Sequence, residues 1–162
     1  MCYMKTKYQI SDYLVCPGHG VGQVVDISSR EIAGTTLNTV TVQLLNNGMK
    51  MIYPESSSEI RALVTTKEVE ELFSLLSDHE VNPSRETWNR RYRDYMAKVN
   101  SGSILEIADV LRSLLIIQFS KKLSFSEKKM VDLCKDLMIK EIAITTGSTE
   151  KEVDQRIEAI FS

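Results

Sequence analysis

Residues 85–98 read R-E-T-W-N-R-R-Y-R-D-Y-M-A-K, and they gather the side chains best suited to meeting an anion. Arg85, Arg90, Arg91, Arg93 and Lys98 stand there against two acids, Glu86 and Asp94, in a chain whose net charge is −2. The one tryptophan, Trp88, lies among them, with Tyr92 and Tyr95 close by. Guanidinium groups neutralise phosphates and can hold them with paired hydrogen bonds. A flat apolar ring beside them can press against an opened base step or the floor of a minor groove. On a helix Trp88 and Tyr92 share a side, as do Trp88 and Arg91. A second reading stays open. A lone tryptophan in a helical domain is most often core, and neighbouring arginines then stack on it or reach past it to solvent.

No other constellation supports chemistry. Catalysis needs a nucleophile, a positioned base and a pocket. His19 sits in the turn Pro17-Gly18-His19-Gly20, and Cys16, three residues earlier, has no third group to orient the pair. His79 falls in a predicted interhelix loop, and the carboxylates spread over helix faces as solvated charges do. Cys2, Cys16 and Cys134 are odd in number and far apart, so neither a disulfide framework nor a zinc site is expected. The reading is a non-enzyme with no catalytic residues, no metal, no cofactor and no small-molecule substrate. The first ten residues carry two lysines and no long apolar run, and the strongly apolar stretch at 114–117 is far too short to span a bilayer. A cytoplasmic protein with no membrane partner is expected.

The elements that must carry the arginine-tryptophan segment follow from periodicity. Up to about residue 65 the pattern is strand-like: Y-L-V-C before the Pro-Gly turn, then Val24, Val25 and Ile27, then T-V-T-V-Q-L-L at 39–45. Asn46-Asn47-Gly48 follows, and beyond it Met49, Met51 and Tyr53 alternate with Lys50 and Ile52 until Pro54 stops the strand. An Asn-Gly step between two such runs predicts a tight hairpin with positive φ at both central positions. Four or five short strands predict a small antiparallel sheet curled into an SH3- or Tudor-like barrel, which leaves no long bare edge.

Beyond residue 65 the period is helical. Thr65–Glu68, Ser103–Glu106, Ser124–Glu127 and Thr149–Glu152 each carry the spacing of a capping box. A fifth start is expected at Ser84, after Asn82-Pro83. The predicted helices run 66–77, 85–100, 104–119, 125–145 and 149–161. The architecture is therefore α+β with two domains, a β-barrel over 1–64 and a compact all-α domain over 65–162.

These residues also resemble a known family. Tyr13-Leu14-Val15-Cys16-Pro17-Gly18-His19-Gly20-Val21-Gly22 resembles the V-Y-P-x-x-G-V-G opening of the polymerase-interacting domain shared by CarD, CdnL and the transcription-repair coupling factors. Asn47-Gly48-Met49-Lys50-Met51-Ile52-Tyr53-Pro54 resembles its G-x-x-x-x-x-P hairpin, and Thr87-Trp88-Asn89-Arg90-Arg91-Tyr92-Arg93 resembles the family's W-x-R-R-Y helix. The segments 102–112 and 123–130 are similar to two further family motifs, and the CdnL-like branch fits best. The resemblance implies a first domain that binds the β subunit of bacterial RNA polymerase and a helical domain that lies on promoter DNA at the upstream edge of the bubble. There the family's tryptophan wedges into the minor groove and prolongs the open complex. Carried over residue by residue, the implied DNA contacts are Arg85, Trp88, Arg90, Arg91, Tyr92 and Arg93. The implied polymerase contacts are Arg30, Met49, Lys50, Met51, Ile52 and Pro54, with Ile52 standing where another branch has an arginine. A coupling-factor motor is excluded by length and by the lack of a G-x-x-x-x-G-K-[ST] loop. The expected protein is a nucleoid-associated monomer. The alternative from another class is an interaction module that docks on polymerase without touching DNA.

Overall fold

The computed structural model describes residues 7–80 and 85–162. The chain divides between Leu63 and Val64 into two compact units. The first is a five-stranded antiparallel sheet: β1 Tyr13–Cys16, β2 Gly20–Ile32, β3 Thr35–Leu44, β4 Lys50–Pro54 and β5 Arg61–Ala62. The strand order is β4-β3-β2-β1-β5.

That order is linear, so the expected barrel does not close. β4 and β5 are the two edges and do not pair with each other. Both edges are blunted instead. β5 has two residues and pairs with Leu14 and Val15 alone. β4 has five, with exposed Lys50 at one end and exposed Pro54 at the other. Short strands, lysine and proline discourage a further strand from adding, and this is the alternative to closure.

A second expectation also moves. Of Asn46, Asn47 and Gly48, Gly48 alone has positive φ, at 71°. The connection there runs through five residues, 45–49, and the Asn47 side chain accepts the Met49 amide at 2.9 Å. The two-residue turn with both φ values positive lies between β2 and β3, at Ala33 (φ 50°) and Gly34 (φ 80°). It joins the two longest strands, and the hairpin it closes runs past its neighbours. β1 covers β2 up to Gln23, and β4 covers β3 as far as Thr39. Gly22 has a separate reason to be glycine. A Cβ there would lie 2.3 Å from Val42 Cγ1 and 3.1 Å from the Gln43 carbonyl oxygen.

The second unit holds α1 Thr66–Ser77, α2 Trp88–Asn100, α3 Ile104–Ile117, α4 Phe125–Thr146 and α5 Glu150–Ile160. α3 is central, packed by α1, α2 and α4, and Ala108, Val110, Leu111 and Leu114 on it are fully buried. Full capping boxes form at Thr65 and Ser124. At Ser103 and Thr149 the hydroxyl accepts the third amide of the helix, and the return bond from the glutamate is not made. The predicted start of the second helix at Ser84 lies outside the described residues. α2 itself begins three residues later than expected, at Trp88. The first helical bond is Arg91 N–H to the Thr87 carbonyl, 3.0 Å, so residues 85–87 lead into the helix rather than form it.

The entry to this unit is tied down at both main-chain groups of its first residue. Val64 N–H donates to Glu141 Oε2 at 2.8 Å, and the Val64 carbonyl accepts from Thr145 Oγ1 at 3.0 Å. Both partners lie on α4, and Glu141 is 2% exposed. A buried carboxylate needs such donors to be tolerated. Among the described residues no helix is long and apolar enough to cross a membrane.

Candidate nucleic-acid interface

α2 has an inward stripe with the spacing of a core face: Trp88, Arg91, Tyr95 and Val99. Arg91, Tyr95 and Val99 are buried. Trp88, the first residue of the helix, is half-buried and packs against the helical core. The indole is thus neither sealed in the interior nor held clear of it. Its neighbours are aromatic, with ring centroids of Tyr92 at 5.8 Å and Tyr95 at 6.2 Å, and the Arg91 guanidinium lies 5.2 Å from its centroid.

Of the six side chains expected to meet DNA, the structure leaves four exposed. Arg90 and Arg93 project from α2, Tyr92 is 46% exposed, and Arg85 precedes the helix in exposed chain. Arg91 departs from the expectation. It is 8% exposed, and its Nη1 lies 3.4 Å from Glu127 Oε2 on α4. The reason is position. Arg91 is three residues after Trp88 and four before Tyr95, so the helix turns it into the core, where a carboxylate must meet it. The spacing itself carried that signal.

Sequence reasoning missed the other wall of the site. Trp88, Tyr92 and Met96 face Ser126, Lys129, Met130 and Leu133 of α4 across a shallow groove. At the start of α4, Phe125 is 73% exposed with the Lys129 ammonium 4.8 Å from its ring centroid. Lys121, Lys122 and Lys128 are also exposed around this turn. The face therefore combines apolar rings with cations from two helices. The available signal was the lysine-rich stretch K-K-L-S-F-S-E-K-K at 121–129, whose phenylalanine is the first residue after a cap and so has little helix behind it to pack on.

Two polar ties hold α2 in place. Near its start Arg91 pairs with Glu127. Near its end Lys98 pairs with Asp109 of α3, which also takes Arg112 Nη2 at 2.5 Å. Burial pushes the Asp109 carboxyl up, but Lys98 and Arg112 outweigh it and hold it below its usual range. Glu127 behaves alike. Burial raises it, yet the Ser124 amide and hydroxyl, then Lys121 and Arg91, bring it below the ordinary value.

In the sheet unit, the antiparallel register puts Lys50, Ile52 and Pro54 on one face with Gln43, Thr41 and Thr39. Through β3 and β2 the same face reaches Arg30, which pairs with Leu37. Ile52 is 67% exposed and Met49 is exposed in the loop before β4. Met51 is the odd one of the six. It points to the opposite, inner face, where it packs on the small core and receives the Tyr53 hydroxyl at 3.3 Å.

Residues 71–158, more than half of the chain, match the family described as "CarD, C-terminal domain", and residues 8–64 match the "CarD-like/TRCF RID domain". The chain belongs to the CarD family. Over 149 residues it is 29% identical to "Putative transcription factor YdeB" of Bacillus subtilis (strain 168), which covers 90% of this chain and 97% of that protein. The solved structure of CdnLNt from Myxococcus xanthus is 31% identical and covers 40% of this chain and 94% of its own, at a TM-score of 0.30. The two CarD matches meet the division of the structure. One stops at residue 64 with the sheet unit, and the other takes in the helices from within α1 onward.

Proposed function

We propose that this CarD-family protein is a non-enzymatic transcription regulator. Its sheet unit holds the β subunit of bacterial RNA polymerase through the outer face carrying Arg30, Lys50, Ile52 and Pro54, with Met49 beside it. Its helical unit holds promoter DNA through the groove between α2 and α4. Arg85, Arg90, Arg93 and Lys129 meet phosphates, while Trp88 and Tyr92 meet the minor groove at the upstream fork of the bubble.

One observation carries this reading. The sole tryptophan stands at the very start of a helix, half out of the core, in a face where exposed arginines and lysines surround apolar rings. An unstacked base step exists only once the bubble has formed. A ring that fits that step binds the open complex more tightly than the closed one and shifts the balance by the difference in affinity.

Replacing Trp88 with alanine tests it. The variant is expected to keep its fold and its polymerase binding and to lose most of the gain in open-complex lifetime. Equal lifetimes with the two proteins would refute the reading. A second reading has an observation in its favour: the packing of Trp88 on the helical core also suits a scaffold, with the sheet unit docking on polymerase alone. A fluorescence titration with a forked promoter duplex at low salt separates the two, because a scaffold gives no signal and a phosphate-binding face gives one that fades steeply with salt.

A further inference from the structure

Arg91 is an unexpected residue to bury. Its side chain and that of Glu127 are 9% and 5% exposed, and removing two charges from water costs several kcal/mol before their attraction is counted. The Arg91 Nε is buried without a hydrogen-bond partner among the described residues, so the pairing is not even complete. A leucine or methionine on the same stripe would fill the space at least as well. What an apolar side chain cannot supply is a flat, charged plate pinned at its far end.

The geometry supplies that plate. Glu127 works in two directions. Its Oε1 accepts the Ser124 amide at 3.1 Å, closing the capping box, and its Oε2 faces Arg91. The carboxylate is therefore fixed by the start of α4 and in turn fixes the guanidinium, whose carbon lies 5.2 Å from the Trp88 ring centroid. Trp88 needs such support. It is the first residue of its helix, so no preceding helical turn backs it, and Thr87 makes no side-chain cap bond.

We infer that the Arg91–Glu127 pair is a strut that sets the orientation of the Trp88 indole, making Arg91 a positioning residue rather than a phosphate contact. A guanidinium stacks on an indole face while its edge hydrogen-bonds elsewhere, which an ammonium cannot do equally well. The role of the indole on DNA rests on the function proposed above. The strut itself does not.

Because Trp88 is the sole tryptophan, fluorescence excited at wavelengths that tyrosine does not absorb reports on this ring alone. In the full chain without DNA, Arg91→Met is expected to leave the far-ultraviolet circular dichroism native and to make Trp88 more accessible, raising acrylamide quenching about twofold and lowering its anisotropy. Affinity for a forked promoter duplex should fall roughly tenfold, a change of about 1.4 kcal/mol. Lower affinity with unchanged quenching and anisotropy overturns the strut, since Arg91 would then act on DNA directly. If Arg91→Met does not fold, Arg91→Lys replaces it: the charge facing Glu127 remains, the plate is gone, and unchanged quenching again overturns the proposal. A raised quenching in Arg91→Met together with duplex affinities unaltered in both Arg91→Met and Trp88→Ala upholds the strut and removes the DNA reading.

Discussion

The sheet unit and the helical unit keep their candidate residues in different relations to their cores. In the sheet, the side chains proposed to meet polymerase, Met51 apart, stand on an outer face or in a loop, and the small core behind them is built from other residues. In the helical unit the proposed DNA face grows out of the core itself: Trp88 and Met96 pack against it, and Arg91, inside it, holds the ring. Surface recognition can change in the first unit at little cost to folding. In the second, recognition and stability share residues.

The largest expected effect breaks this sharing. Glu127→Ala leaves Arg91 charged and unpaired in the interior and removes half of a capping box. It should destabilise the helical unit by about 3–5 kcal/mol in denaturant unfolding followed by Trp88 emission. The effect depends on pH with a definite sign. Ser124, Lys121 and Arg91 hold the folded Glu127 below its usual range. Its contribution is therefore complete above the ordinary carboxylate value, roughly 4, and is lost as pH falls through the lower folded value. Wild type and variant should converge in acid, and a gap that widens there would contradict the pairing.

A smaller effect is expected at Gly22→Ala. The new methyl must displace Val42 or the neighbouring backbone, costing about 1–3 kcal/mol. Because Trp88 belongs to the other unit, the loss should show in hydrogen exchange of β2 and β3 amides and leave tryptophan emission unmoved. The smallest change in stability should come from Ile52→Ser, within about 0.5 kcal/mol because the side chain is mostly in solvent. The same variant should weaken binding to the isolated polymerase β lobe in a pull-down or titration. A substantial stability loss at Ile52 would blur the contrast between the units.

Much of this organisation was legible in the residues. The change of period near residue 65 and the hydroxyl-to-glutamate spacings located the helices, because caps are local chemistry. The alternation of Lys50, Ile52 and Tyr53 placed their faces for the same reason. Closure of the sheet was not legible, since it depends on whether β4 and β5 reach each other, and two residues of β5 are too few to announce it. The tight turn was assigned to Asn47-Gly48 by residue preference, whereas Ala33-Gly34 takes it because β2 and β3 pair over a longer span than their apolar alternation suggests. At Arg91 residue type and position pull in opposite directions. Charge argued for solvent, while its place in the stripe of Trp88, Tyr95 and Val99 argued for the interior, and the helix follows the stripe.

The double tether of Val64 has a mechanical consequence. Tension arriving along the backbone from the strand side meets one buried and one part-buried bond into the C-terminal part of the longest helix before it reaches the first turn of α1. A pull on the strand side is thus borne by α4 rather than spent on unwinding the opening helix of the bundle. The mouth that holds the indole starts at the other end of that same α4, at Ser126, about 15 residues from Glu141, or roughly 23 Å at the helical rise.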